Sequence, residues 1–377
     1  MSALLVVGDT FRIPELRHEV PLGVPDQFLF AEVDGSRHVV MTSFEVDRIV
    51  ATGDITAHAF EEYGYDGLIA QGLSHDLTLR EVFAHACAAL GIRAARVPDA
   101  FPLAVAERLR EAGVEIAADQ AVFDDRRRVK NVAELAGIRR AQRAAEAGMR
   151  ACADLLTRAE RSNGHLAVEG EPLTVELVKL RVEEAFLRHG STADDFIVAR
   201  GEQAAAGHDT GSGPIAPGES IVVDLWPRDR ESACFADMTR TFVLGEVPDE
   251  LRSYHRLTRE ALDLAIAMLR PGVAGADVYG AVCEHFEAAG YPTGRSKAEG
   301  TVLQDGFFHG LGHGVGLNVH ERPRLGRFTD NLVAGDVVTI EPGLYRKGYG
   351  GVRLEDLLLI TDDGCENLTD FPYDMEL

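Results

Sequence analysis

From Ala3 to about Ile116, short apolar stretches alternate with amphipathic ones. Phe28-Leu29-Phe30 and His38-Val39-Val40-Met41 read as short strands, and Leu103 to Ala112 reads as a helix closed by Gly113. The run Asp124-Asp125-Arg126-Arg127-Arg128 reads as a solvated connector. A long helical pattern follows it, from Val132 to about Arg161. These signals place a domain boundary near residue 130, giving expected domains 1–129 and 130–377.

The second part follows a more regular plan. A helix starts near Thr174, a good N-cap, and stops at Gly190. Strand-like Phe196 to Ala199, Ser220 to Leu225 and Asp237 to Val243 come next. The pattern then recurs, with helices over Ser253 to Arg270 and Asp277 to Ala289 and strands over Val337 to Glu341 and Val352 to Ile360. Pro217-Gly218-Glu219-Ser220 leads into Ile221-Val222-Val223-Asp224, and Ala334-Gly335-Asp336-Val337 leads into Val338-Thr339-Ile340-Glu341. In both, a glycine precedes a carboxylate set inside an apolar strand, which points to an internal duplication.

The acids in those strands carry the chemical signal. Asp224, Glu341 and Glu355 each interrupt an apolar run, and Asp237 opens one. Carboxylates are depleted in strands and costly to bury unpaired, so four of them in two hairpins call for a cation. Only Arg240 and Arg353 lie in these strands, which leaves divalent metal as the better partner. Period-two spacing puts Arg353 and Glu355 on one strand face, and Asp237, Thr239 and Thr241 on another. The nitrogen ligand is expected from Phe308-His309-Gly310-Leu311-Gly312-His313-Gly314-Val315-Gly316-Leu317-Asn318-Val319-His320-Glu321. Its glycines let backbone approach a metal or a substrate closely. Four carboxylates and one imidazole suffice for two metals, with manganese, cobalt, iron and zinc all compatible. A phosphate loop GxxxxGK[ST], the dinucleotide pattern GxGxxG and the zinc motif HExxH are all missing from the sequence.

Composition narrows the class. The 377 residues carry a formal net charge of −23, which argues against nucleic acid as the main partner. No apolar run approaches the ~18 residues of a membrane span, and the start lacks the basic leader of a signal peptide, so a cytoplasmic location is expected. The five cysteines are scattered and form no CxxC pair, which fits small buried hydrophobes. The histidines before residue 130 (His18, His38, His58, His75, His85) are spread singly and read as ordinary.

Taken in order, Asp224, Ala236-Asp237-Met238-Thr239-Arg240-Thr241-Phe242, His309-x3-His313-x6-His320, Thr339-Ile340-Glu341-Pro342-Gly343-Leu344-Tyr345 and Val352-Arg353-Leu354-Glu355-Asp356 resemble the creatinase, aminopeptidase P and prolidase family. These are the "pita-bread" metallopeptidases, which also include methionine aminopeptidase. The resemblance covers roughly residues 130 to 365, and Val129-Lys130-x3-Glu134-x3-Ile138-Arg139 is similar to the start of the family's catalytic domain. It implies an α+β fold: a creatinase-type N-terminal α/β domain, then a pita-bread domain of duplicated helices and antiparallel hairpins. The N-terminal domain is one that methionine aminopeptidases usually lack.

The same resemblance implies two divalent ions per chain, manganese favoured over cobalt, zinc or iron. Asp224 would bind one ion, His313 and Glu341 the other, and Asp237 and Glu355 would bridge. A hydroxide between the metals would attack an Xaa-Pro bond in a short peptide, with Glu341 handling the proton of that water. His309, His320 and Arg353 would sit in catalytic positions. His208 and Arg327 would bind substrate, Arg327 through the free carboxylate of a dipeptide, with Arg322 and Arg324 as neighbouring candidates. Departures from the family pattern fall near the pocket. Trp226 stands where a glycine is usual, the hairpin from Asp224 to Asp237 is two residues longer, and Asp209 replaces an aromatic or histidine. Trp226 is equally compatible with the core and with the pocket. A homodimer is expected from the family. Alternatives are a C–N hydrolase acting on a small metabolite, as creatinase is, and a non-catalytic binding protein.

Overall fold

The computed structural model describes residues 2–162, 165–328 and 330–377. It divides into two compact units, Met1–Arg127 and Arg128–Leu377.

In the first unit, strand Ala3–Gly8 is buried at all six positions, as befits a strand covered on both faces. It pairs antiparallel with Phe28–Val33 and parallel with Ala94–Val97. The full six-stranded sheet runs Thr56–Ala59, Ser36–Met41, Phe28–Val33, Ala3–Gly8, Ala94–Val97, Glu115–Ala118. Alternation sorts its side chains: Leu5, Val7 and Leu29 join one apolar cluster, while Leu4, Val6, Phe28 and Phe30 join another. Histidines spread along the sequence meet here. His38 Nδ1 and His58 Nε2 lie 3.3 Å apart across neighbouring parallel strands.

The charged run expected to be a solvated connector is instead the end of helix Gln120–Arg128. Its arginines are consumed by carboxylates. Arg126 holds Glu19 at 2.6 Å and Glu32 at 2.8 Å, and Arg127 holds Glu15 at 3.1 Å. In the second unit, Arg128 forms a two-pronged pair with Asp336 at 2.7 and 3.0 Å. Guanidinium forks matched to carboxylates in this way can be buried, which a bare charge run does not disclose.

The second unit repeats a helix-pair-and-hairpin plan. Helix Val132–Thr157 begins in a capping box: the Asn131 side chain accepts from Glu134 N, and Glu134 accepts from Asn131 N, both at 2.9 Å. It stops four residues short of the expected Arg161, where strand Glu160–Ser162 starts a small sheet. It packs on helix Val175–Arg188, capped by Thr174, over the apolar cluster of Met149, Phe186, Val223 and Met238. The antiparallel sheet Ile197–Arg200, Ser220–Leu225, Met238–Val243 completes this half. The second half packs helices Asp249–Met268 and Gly275–Ala288 over a separate cluster containing Leu257, Phe286, Val338 and Leu354.

Two sheets finish the second half. One runs Glu321–Leu325, Gly312–Gly314, Val337–Ile340, Asp356–Ile360, Cys365–Asn367; the other runs Asp305–Gly306, Gly343–Arg346, Gly350–Arg353. The single strand expected over Val352 to Ile360 is therefore two strands in different sheets. The break falls at Leu354-Glu355 because Glu355 N donates to Thr239 O at 3.0 Å, bridging to the other half. Buried Arg240 fixes this seam: it donates to the carbonyls of Thr239 and Glu355 and pairs with Asp356 at 3.0 Å. No helix among the described residues is long and apolar enough to cross a membrane.

Candidate metal centre

Five side chains from both halves converge on one cavity of about 620 Å³: Asp224, Asp237, His313, Glu341 and Glu355. Asp224 and Asp237 come from the first hairpin, where Asp224 stands opposite Thr239 in register. His313 sits on a three-residue strand squeezed between two others. A Cβ on Gly312 would come within 2.0 Å of Thr339 O, and one on Gly314 within 2.2 Å of Arg322 O. Those glycines are what let the imidazole reach the acids. His313 Nε2 lies 3.7 Å from an oxygen of Asp237 and 3.6 Å from one of Glu341. Asp237, His313 and Glu355 offer ligand atoms that all lie within 4.8 Å of one another.

The donor set fits a divalent cation. His313 Nδ1 lies 3.2 Å from the Gly314 carbonyl, which only accepts, so that nitrogen carries the proton and Nε2 turns a lone pair toward the carboxylates. Asp224 Oδ1 and Asp237 Oδ1 are buried with no hydrogen-bond partner. Lone pairs facing carboxylates without an intervening donor are unfavourable unless a cation stands among them. The acids feel one another. Burial, then the charges of Glu355, Asp224 and Glu341, hold the Asp237 carboxyl well above its usual range. Burial, then Asp224 and Glu341, does the same to Glu355. Desolvation, opposed by Arg353 and reinforced by Asp224, pushes Glu341 up to about 8. Burial brings His313 down to about 3, with the neighbouring His320 adding to it.

A second network backs the ligands. Arg353 bonds Asp224 Oδ2 through Nη2, Thr239 Oγ1 at 3.2 Å through Nε, and Tyr345 OH at 3.3 Å through Nη1. Thr239 Oγ1 in turn donates to Glu355 Oε2 at 2.7 Å. His309 Nδ1 donates to Gly310 O at 2.7 Å, which leaves Nε2 to accept from Tyr345 OH at 2.9 Å. Burial keeps His309 neutral, its value lowered to about 3. His320 packs edge-on against His313, ring centroids 4.2 Å apart. The next residue, Glu321, is held by a buried ion pair with Lys130, which fastens the histidine loop to the start of helix Val132–Thr157.

The remaining expected site residues divide. His208, His309, His320, Arg353 and Trp226 all line the cavity with the four acids and His313. Trp226 is half-buried and also packs on Ile197, Ala199, Ala204 and Val222, so it serves both core and cavity wall. Arg327 lines a different cavity with Tyr279, Glu284 and Arg295. Arg324 lines the central one. The cross-strand register pairs Arg324 with His313, and residues directly opposite project from the same sheet face. Tyr345 carried no sequence signal beyond its place in the motif, because its role depends on which atoms its hydroxyl meets.

A model of metallopeptidase family M24 matches residues 136–362. The chain belongs to this family. Among curated relatives of this M24 protein, an Xaa-Pro dipeptidase of Pyrococcus furiosus is 34% identical over 196 residues, covering 51% of this chain and 52% of that protein. The chain spans about half the length of the curated relatives it matches. Among solved structures, the prolidase from Pyrococcus horikoshii superposes with a TM-score of 0.76 at 24% identity, over 100% of this chain and 95% of that one. An X-Pro aminopeptidase from Thermotoga maritima gives 0.79 at 22% identity, over 100% and 98%. These likenesses establish the pita-bread architecture of the M24 protein, with its N-terminal domain and α+β catalytic domain.

Proposed function

We propose that this M24 protein is a metal-dependent exopeptidase that hydrolyses the Xaa-Pro bond of short peptides. The observation that carries the reading is the set of four carboxylates and one imidazole around one cavity, two of its buried oxygens having no hydrogen-bond donor. In this reading Asp224, Asp237, His313, Glu341 and Glu355 would hold two divalent ions between them, with manganese the favoured metal. Bound divalent cations supply a nucleophilic water at neutral pH and a Lewis acid for the carbonyl oxygen.

The chain's own groups do the rest. Glu341 receives the proton of the attacking water at its carboxylate. His309 and His320 flank the scissile group from the glycine-rich loop, and the Arg353 guanidinium fixes Asp224. The Trp226 indole and the His208 imidazole form part of the wall of the same cavity. A dipeptide's free carboxylate falls in this reading to Arg324, which lines the same cavity, and not to Arg327, which lines another.

The test is a mass-spectrometric cleavage screen of protein stripped and reloaded with manganese, cobalt or zinc. Its panel holds Xaa-Pro dipeptides, Xaa-Pro-Xaa tripeptides and matched peptides with alanine in second place. Metal-dependent release of the first residue only before proline is the expected result. Two ions bound with no peptide cleaved would direct the chemistry to another amide, the C–N hydrolase reading. No metal bound would remove the catalytic assignment and leave a binding protein.

A further inference from the structure

The chain has only four lysines, and they divide sharply. Lys130 is paired with Glu321, and Lys179 lies 3.8 Å from Asp195. Lys297 and Lys347 form no ion pair among the described residues; the Lys297 ammonium donates to Thr301 O at 2.6 Å. These two line the same cavity, of about 480 Å³, with Gln304 and Glu202. That cavity shares Gly207 and Phe308 with the metal cavity, so the two adjoin at those residues. The walls are tied together, since Lys347 N donates to Gln304 O at 2.8 Å.

Two uncompensated ammoniums in a chain of net charge −23 are a local reversal of sign. Set against the single carboxylate of Glu202, they leave the cavity net positive. Two ammonium groups lining one concavity favour an anion, and a compact one suits their point charges. An exopeptidase that cuts after the first residue must find room for the residues beyond proline, and this cavity adjoins the metal centre.

We propose that Lys297 and Lys347 form an anion subsite, beside the metal cavity, that holds the C-terminal carboxylate of peptides extending beyond the proline. This rests on the peptidase reading, and it deepens it: the preferred substrates are tripeptides or longer with a free C-terminus. Shorter dipeptides do not reach the subsite and fall to Arg324.

The test separates the two claims because it reads binding without turnover. Trp226 is the only tryptophan of the chain and lines the metal cavity, so its fluorescence reports occupancy. Metal-free full-length protein is titrated with Pro-Leu-Leu and Ala-Pro-Leu-Leu, each as the free acid and as the C-terminal amide. The wild type is expected to bind the acids about fivefold tighter than the amides, the size of one exposed charge contact. The double variant Lys297→Met/Lys347→Met is expected to bring that ratio near one, and Lys297→Arg/Lys347→Arg to restore it. Equal binding of acid and amide by the wild type would overturn the subsite, as would failure to bind either form. A preference that survives in the double methionine variant would also overturn it and assign the anion to Arg324. The cleavage screen above decides the peptidase reading independently.

Discussion

At the residue scale, Asp237 is tightly constrained within the centre. It is 4% exposed, one of its oxygens meets no donor, and three other acids press on it. Asp237→Ala is therefore expected to abolish both metal binding and turnover, since one removal unbridges both proposed ions. Metal analysis beside an activity assay checks it, and retained turnover at unchanged stoichiometry would sink the bridging role. The arginines give a second prediction. Arg324→Ala is expected to raise KM for Xaa-Pro dipeptides about tenfold, the worth of one charge-assisted hydrogen bond, while Arg327→Ala leaves it within about twofold. The acids were legible in the sequence because Asp224, Glu341 and Glu355 each interrupt an apolar run and Asp237 opens one. Which arginine lines the cavity was not, because a count of residues along a loop does not say which sheet face a side chain leaves from. The register of Arg324 opposite His313 does.

At the scale of elements, the histidine strand depends on having no side chain at Gly312. Gly312→Ala would place a methyl 2.0 Å from Thr339 O, so the strand must move away from its neighbour. We expect a loss of about 2–4 kcal/mol in stability, read from the urea midpoint, together with weakened metal retention. Arg240, 1% exposed, holds the seam between the two halves through two carbonyls and Asp356. Arg240→Ala strands the Asp356 charge in the interior and should cost about 3–5 kcal/mol, visible as a lowered thermal midpoint. The helix start at Thr174 was readable, since its cap is local chemistry, whereas the helices expected from Ser253 and Asp277 begin at Asp249 and Gly275, where no side chain caps them. Broken strands were not. Alternation continues smoothly through Leu354 and Glu355, and only the partner at Thr239 reveals that the backbone changes sheet there. The Asp124 to Arg128 run failed for the same reason, its carboxylate partners being far away in sequence.

At the scale of the whole molecule, the net charge of −23 sets how charged peptides arrive. For metal-loaded protein, KM for a peptide with an N-terminal arginine should rise with ionic strength, and that for an N-terminal glutamate should fall. Equal salt dependence for both would mean that local groups, not the global field, govern encounter. The division into two units and the repeated plan of the second were visible as a change in pattern near residue 130 and as paired Gly-to-carboxylate strands. The meeting of the two repeats at one cavity was inferred only from the cost of burying their carboxylates, because nothing local encodes it. That meeting has a thermodynamic consequence. Thr239 and Glu355, whose side chains bond at the centre, stand 116 positions apart. An ion held by acids from both hairpins would bind the folded chain and not the unfolded one, and so would act as a removable staple of the native state. Chelation would then release more than a catalyst: the two repeats should lose their common staple, melt earlier and become open to proteolysis.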